Sequence, residues 1–230
     1  MPALRICRLN IFDDSDVEGL GGSVIECPLL DTLELLCVGS PAFTLRRMLN
    51  RLSLPELRHI KLQGHSDPQE FHLLSFSPFL AVLARLESLN IWTDTFHKAS
   101  LIDLLRGLPA TVQRLKITNV RTWARPTAFD EDTLTLLTIS DDLPPCCPAL
   151  RELILSLFGD LPDAALFRLI NSRMTTESCS PLDRVEAEFM REMELDITTG
   201  LLPFMDTGLI LSLEYNPLAI PEASKPSQGE

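Results

Sequence analysis

Apolar residues along this chain recur as a triplet, L-x-x-L-x-L, with other apolar residues allowed at the three sites. The first seven triplets are Leu4/Cys7/Leu9, Leu30/Leu33/Leu35, Leu57/Ile60/Leu62, Leu86/Leu89/Ile91, Val112/Leu115/Ile117, Leu150/Leu153/Leu155 and Leu182/Val185/Ala187. An eighth is ragged, with Gly208 in its first slot and Leu211 and Leu213 in the others. The first positions of the seven are spaced by 26, 27, 29, 26, 38 and 32 residues. Apolar residues two apart at the end of each triplet point to one face of a strand. Pro or Ala often stands two places before the triplet, as at Pro2, Pro28, Pro55 and Pro148, which sets an extended approach out of a turn.

Between triplets the period changes from two to about 3.6. Residues 42–52 place Leu45, Met48, Leu49 and Leu52 on one helical stripe, and residues 97–108 do the same with Leu101, Leu104, Leu105 and Leu108. Residues 163–173 repeat it with Leu166, Leu169 and Ile170, and Asp163 after Pro162 is expected to help cap that helix. A longer helix is expected between residues 68 and 83, broken at Pro78. Strand followed by helix at this period predicts an α/β fold, a leucine-rich-repeat solenoid of about eight units over residues 1–215. Parallel strands would line its concave side and helices its convex side. Most units lack the asparagine usual three residues past the last leucine, and Asn119 stands one place out of register, so no asparagine ladder is expected. The tail, residues 216–230, is polar and rich in Pro and Ser and reads as disordered. The competing reading is an open doubly wound sheet. It would require a glycine-rich first turn opening a helix, and Gly19–Gly22 leads into SVIECP instead.

Composition narrows the function classes. The chain has 230 residues, 45% of them hydrophobic, enough for a sizeable core, and no apolar run long enough to span a membrane. Its formal charge of −12, with no long Lys/Arg run, argues against general nucleic-acid binding. Six cysteines at irregular spacing, without a CxxC pair, read as reduced, packed thiols, which places the protein in the cytoplasm or nucleus. The vicinal pair Cys146-Cys147 has no basic activator near it in sequence.

Three stretches carry a more specific likeness: DEDTLTLLTISDDLPPCCPALRELILS from Asp130, GDLPDAALFRLINSRMTTESCSPLDRVEAEF from Gly159, and MDTGLILSLEY from Met205. Together they resemble the leucine-rich-repeat region of fungal F-box-like proteins. The matching elements are Cys147-Pro148 opening a strand, Ser172-Arg173 on the following helix, and Ser180-Pro181-Leu182 opening the next strand. The likeness covers about residues 25–215. It implies the target-holding part of an F-box-type ubiquitin ligase receptor, with a protein substrate as partner. The F-box that docks the ligase adaptor is not found in this chain, so the adaptor is expected as a partner only if an F-box lies upstream. The first repeat is then expected to be uncapped or truncated. The alternatives are an orphan or truncated repeat scaffold without a ligase role, and a hydrolase with its site at the strand ends.

No catalytic set is evident. There is no GxSxG, and His65, Asp67, Glu70 and His72 match no ligand spacing, so neither a metal nor a cofactor is expected. Binding is the better reading. Residues between and just after the triplet positions face the concave side. Its middle carries His59, Lys61, Trp92, Arg114 and Lys116, a basic zone around one aromatic, and its far end carries Glu152 and Glu186. These seven are the expected partner-binding residues, because Trp and Arg are enriched at binding hot spots.

Overall fold

A computed structural model describes residues 4–12, 23–38, 45, 48–65, 76–93, 96–119, 128–140 and 145–217. Ten strands are found there: β1 (Ile6–Phe12), β2 (Ile25–Glu26), β3 (Thr32–Val38), β4 (Leu52–Ser53), β5 (His59–His65), β6 (Ser88–Trp92), β7 (Arg114–Thr118), β8 (Glu152–Phe158), β9 (Arg184–Phe189) and β10 (Ile210–Tyr215). Eight form one open sheet in the order β1-β3-β5-β6-β7-β8-β9-β10, and every neighbouring pair is parallel. The remaining two, β2 and β4, pair with each other. The class is α/β.

The triplets explain the register. Their middle positions align straight across the sheet, Cys7 beside Leu33, then Ile60, Leu89, Leu115, Leu153, Val185 and Leu211. The last positions make a second row from Leu9 to Leu213. In strands β3 to β9 both rows are buried, and a one-residue slip would turn them to the other face. The first triplet positions have a different task. The N–H groups of Leu30, Leu57, Leu86, Val112 and Leu150 each donate to the carbonyl three residues back, closing a turn just ahead of the strand. Each of these side chains is buried, whereas Leu4, in the corresponding place before β1, is 58% exposed.

One carbonyl at each strand entrance links successive rungs. The Asp31 carbonyl accepts from the N–H groups of Arg58 and His59, the Arg58 carbonyl from Glu87 and Ser88, and the Glu87 carbonyl from Gln113 and Arg114. The side chains of the same row alternate in charge: Arg58 lies 3.8 Å from Asp31 and 3.0 Å from Glu87, and Arg151 lies 3.2 Å from Asp183.

Five helices complete the described elements: α1 (Ser77–Leu80), α2 (Lys98–Arg106), α3 (Glu131–Thr135), α4 (Asp163–Thr175) and α5 (Thr198–Asp206). The stripes on α2 and α4 bury the leucines expected of them, and these join the strand rows in one core. His97 Nδ1 accepts from the Ala99 N–H at the start of α2, and Asp130 caps α3 through the Thr133 N–H. No helix among the described residues is long and apolar enough to cross a membrane.

Several expectations change. Residues 45, 48 and 49 are helical, but Leu52 leaves that stripe and pairs in β4 with Ile25. Pro78 stands in the first turn of α1, where a missing N–H costs nothing. The rest of the expected break falls on residues 68–75, which lie outside the described set, as do residues 218–230 of the tail. Asp163 does not cap α4: its carboxylate points away into a buried cluster. Asn119 is buried and does bridge rungs. It accepts from the Thr93 hydroxyl at 3.0 Å and donates to the Leu157 carbonyl at 3.3 Å.

Candidate functional site

Residues alternating with the buried rows emerge on the opposite face of the sheet. Register places His59 beside Ser88 and then Arg114 and Glu152, all at the strand starts. Two residues further on, Glu34, Lys61, Asn90, Lys116, Ile154 and Glu186 stand side by side on β3 to β9. Adjacent strands lie about 4.8 Å apart, so the two lysines flank Asn90 at a separation of about 10 Å.

A shallow hollow of about 480 Å³ opens at this place, lined by His59, Lys61, Arg114, Lys116 and Glu152 of the seven expected residues. Trp92 and Glu186 are not part of its lining. Trp92 is half-buried at the end of β6, level with Thr118, past the rows that form the hollow. Glu186 faces the same way as Lys116 but is held by Arg184 of its own strand. The hollow adds Ser88, Asn90 and Ile154, which the sequence pattern places on this face but does not single out, because they carry no charge.

The charges on this face divide into paired and unpaired groups. At one end Arg8 binds Glu34 at 2.9 Å, and at the other Arg184 binds Glu186. Between them Lys61, Arg114 and Lys116 form no ion pair with any described residue. The Asn90 Oδ1 atom, between the lysine rows, is buried and has no hydrogen-bond partner. Such an atom costs about 1–3 kcal/mol unless something supplies a donor. The hollow therefore offers three cations, the unpaired carboxylate of Glu152 beside Arg114 and one unused amide acceptor, in a chain of net charge −12.

Ser88, His59 and Asp31 also stand on consecutive rungs. His59 Nε2 lies 3.8 Å from the Asp31 carboxylate, beyond hydrogen-bond reach, and no hydrogen bond joins Ser88 to His59. The nucleophile–base contact that a hydroxyl needs for activation is not assembled here. Among the described residues no group of three His, Cys, Asp or Glu side chains could hold a metal ion. Of the residues considered for a metal, Asp67, Glu70, His72 and the side chain of His65 lie outside the described set.

The chain matches no protein-family model, and no curated protein matches it either.

Proposed function

We propose that the chain is a leucine-rich-repeat solenoid that binds a protein partner on its sheet face, and that the partner presents an acidic or phosphorylated segment. One observation carries this reading. Three cations without ion pairs, Lys61, Arg114 and Lys116, outnumber the one unpaired carboxylate, Glu152, in a hollow whose flanks are already neutralised by Arg8–Glu34 and Arg184–Glu186. Unpaired cations on an acidic molecule favour an anionic visitor, and a neutral Asn beside them can turn its amide to donate. The sequential parallel sheet and its repeated entrance turns support the solenoid. The resemblance to F-box-like proteins adds that the bound protein would be a target of a ubiquitin ligase. Six unpaired thiols fit a cytoplasmic or nuclear setting.

The test is a double charge reversal, Lys61→Glu with Lys116→Glu, probed against an array of phosphorylated and glutamate-rich peptides. The unaltered protein should bind a subset of these. The double variant should lose at least about tenfold in affinity, since each charge-assisted hydrogen bond contributes about 1.5–3 kcal/mol. Its Tm should fall only slightly, because neither lysine is ion-paired and the one new like-charge contact is that of a glutamate at position 61 with Glu34. Equal binding by both proteins would exclude this face as the docking surface.

A further inference from the structure

Around Cys146 and Cys147 the structure assembles what the sequence separates. The two sulfurs lie 3.8 Å apart, and the Cys146 thiol donates to the Leu105 carbonyl at 3.0 Å, at the end of α2. Cys146 is half-buried and Cys147 is fully buried, with a positive φ of 51°. Beneath them lies Arg173 of α4, only 1% exposed. Its guanidinium donates to three backbone carbonyls, of Leu137 at 2.7 Å, of Cys147 at 3.1 Å and of Cys146 at 2.6 Å. No carboxylate among the described residues pairs with it. A buried cation held only by carbonyls leaves its charge uncompensated, and the nearest groups able to become anions are thiols. The missing basic activator thus comes from residue 173, with Arg106 adding to it from α2.

The titration of the pair fits this geometry. The hydrogen bond from Cys147 lowers the Cys146 thiol below its ordinary value; burial opposes this, and the charges of Arg173 and Arg106 lower it further. Cys147 goes the other way, raised by its bond to Cys146 and by burial. Cys146, the more exposed of the two, is the sulfur a peroxide can reach, and buried Cys147 lies 3.8 Å away to follow, the arrangement of a peroxide-sensing cysteine beside its resolving partner.

We propose that Cys146 and Cys147 are a peroxide-oxidised modification site, in which Cys146 reacts first and Cys147 closes a reversible disulfide with it. The Cys146 thiolate attacks one oxygen of a hydroperoxide and breaks the O–O bond. With hydrogen peroxide this leaves Cys146 as a sulfenic acid and, after protonation, releases water. The Cys147 sulfur then attacks the sulfenic sulfur, the S–O bond breaks, and a second water leaves with the Cys147 proton. Two thiols are oxidised by two electrons and one peroxide is reduced. Neighbouring Cα atoms are held about 3.8 Å apart by the peptide bond, closer than the usual disulfide span of about 4.4–6.8 Å. The product is therefore strained and easily reduced, which suits a reversible modification. Closing the ring reorients the carbonyls that hold Arg173, so oxidation loosens the end of α4.

The experiment treats the full chain with one equivalent of hydrogen peroxide, followed by thiol alkylation, intact mass measurement and peptide mapping. The expected result is the loss of two titratable thiols and two hydrogens, both mapped to Cys146 and Cys147 and restored by dithiothreitol. Amide exchange in residues 170–175 should quicken in the oxidised form. Cys147→Ser should trap the Cys146 sulfenic acid, detected by dimedone labelling. If Cys146 oxidises no faster than the half-buried Cys7 and Cys27 in the unaltered protein, the site is overturned, whatever the variant does. The outcome does not depend on partner binding.

Discussion

Asp163 shows how far one residue can depart from its local sequence context. An acidic residue in the first turn of a helix ordinarily faces solvent and the helix dipole. Here it is wholly buried. Oδ1 accepts from Arg191 at 2.6 Å and from the Tyr215 hydroxyl at 3.1 Å, while Oδ2 accepts from the N–H groups of Glu194 at 2.8 Å and Leu195 at 2.9 Å. Arg191 also lies over the Phe189 ring at 4.6 Å, so the cluster ties the start of α4, the segment after β9 and the last strand together. Burial pushes the Asp163 carboxyl up, but the Arg191 guanidinium, the two N–H groups and the Tyr215 hydroxyl hold it below its ordinary value. Tyr215 is correspondingly pushed up to about 12, by burial first and then by the carboxylate. Removing the acid takes the carboxylate from the mostly buried Arg191 guanidinium, which keeps the Leu161 and Glu192 carbonyls, so Asp163→Ala should cost about 3 kcal/mol in urea unfolding. The pH dependence has a definite sign. A folded-state pKa below the unfolded one stabilises fully above the ordinary carboxylate range, about pH 4, and that contribution is lost as pH falls through the depressed value. Stability of the unaltered chain should thus drop on acidification below about pH 4, and Asp163→Asn should flatten that limb. A limb of unchanged steepness would mean other carboxylates govern it.

Between elements, the polar links past the strand ends carry weight that the triplets do not reveal. Asn119, just after β7, joins Thr93 after β6 to the carbonyl of Leu157 in β8, where the φ of Leu157 is 68° and the register shifts. Its own N–H donates to the Ser156 carbonyl at 2.9 Å. Asn119→Ala would leave the buried Thr93 hydroxyl and the partly buried Leu157 carbonyl without this partner, at a cost of about 1–3 kcal/mol measured by chemical denaturation. A change within error would show that water replaces the side chain. The contrast between this link and the strands marks what a sequence can disclose. All eight main-sheet strands were legible, because Leu33 and Leu35 and their equivalents repeat a period-two signature that only a one-sided strand requires. The stripes of α2 and α4 were legible for the same reason at the helical period. β4 was not: Leu52 continues a helical stripe by spacing, and only pairing with Ile25 turns it into a strand. α5 also escaped, since Pro203 sits inside it and breaks the expected signature. Of the candidate site, the cations on one face followed from alternation. The exclusion of Trp92 and the isolation of Asn90 Oδ1 did not, because both depend on side-chain positions across strands. Arg173 beside Cys146 was out of reach for a similar reason, as 27 residues of chain separate them.

For the whole molecule, the order of the sheet sets how stability is distributed. Each strand of the eight-stranded sheet pairs with the strands of that sheet before and after it in sequence, so every interior rung is held from both sides and each edge from one. Burial follows this rule. In β8 the inward residues Leu153 and Leu155 are at most 1% exposed, while along β1 exposed and half-buried residues alternate until Ile11. The apolar side chains of Ile6 and Phe12 on β1 and of Ile210 on β10 are more than half exposed, marking both edges. Opening an edge strand breaks one ladder and exposes little new apolar surface; opening β7 breaks two ladders and uncovers the core. An array held by nearest neighbours should therefore fray from its ends, with local opening free energies rising inward from near zero at the edges towards the global value. Native-state amide exchange can read this directly. Residues 6–12 and 210–215 should exchange fastest among the strands, and residues 114–118 and 152–158 slowest. The basic hollow spans β3 to β8 and its three cations stand on the interior strands β5 and β7, so they are held by rungs paired on both sides, as the proposed docking face requires. Uniform protection across all eight strands would mean that the sheet opens only as one unit, and the edges would then owe their stability to something other than their neighbours.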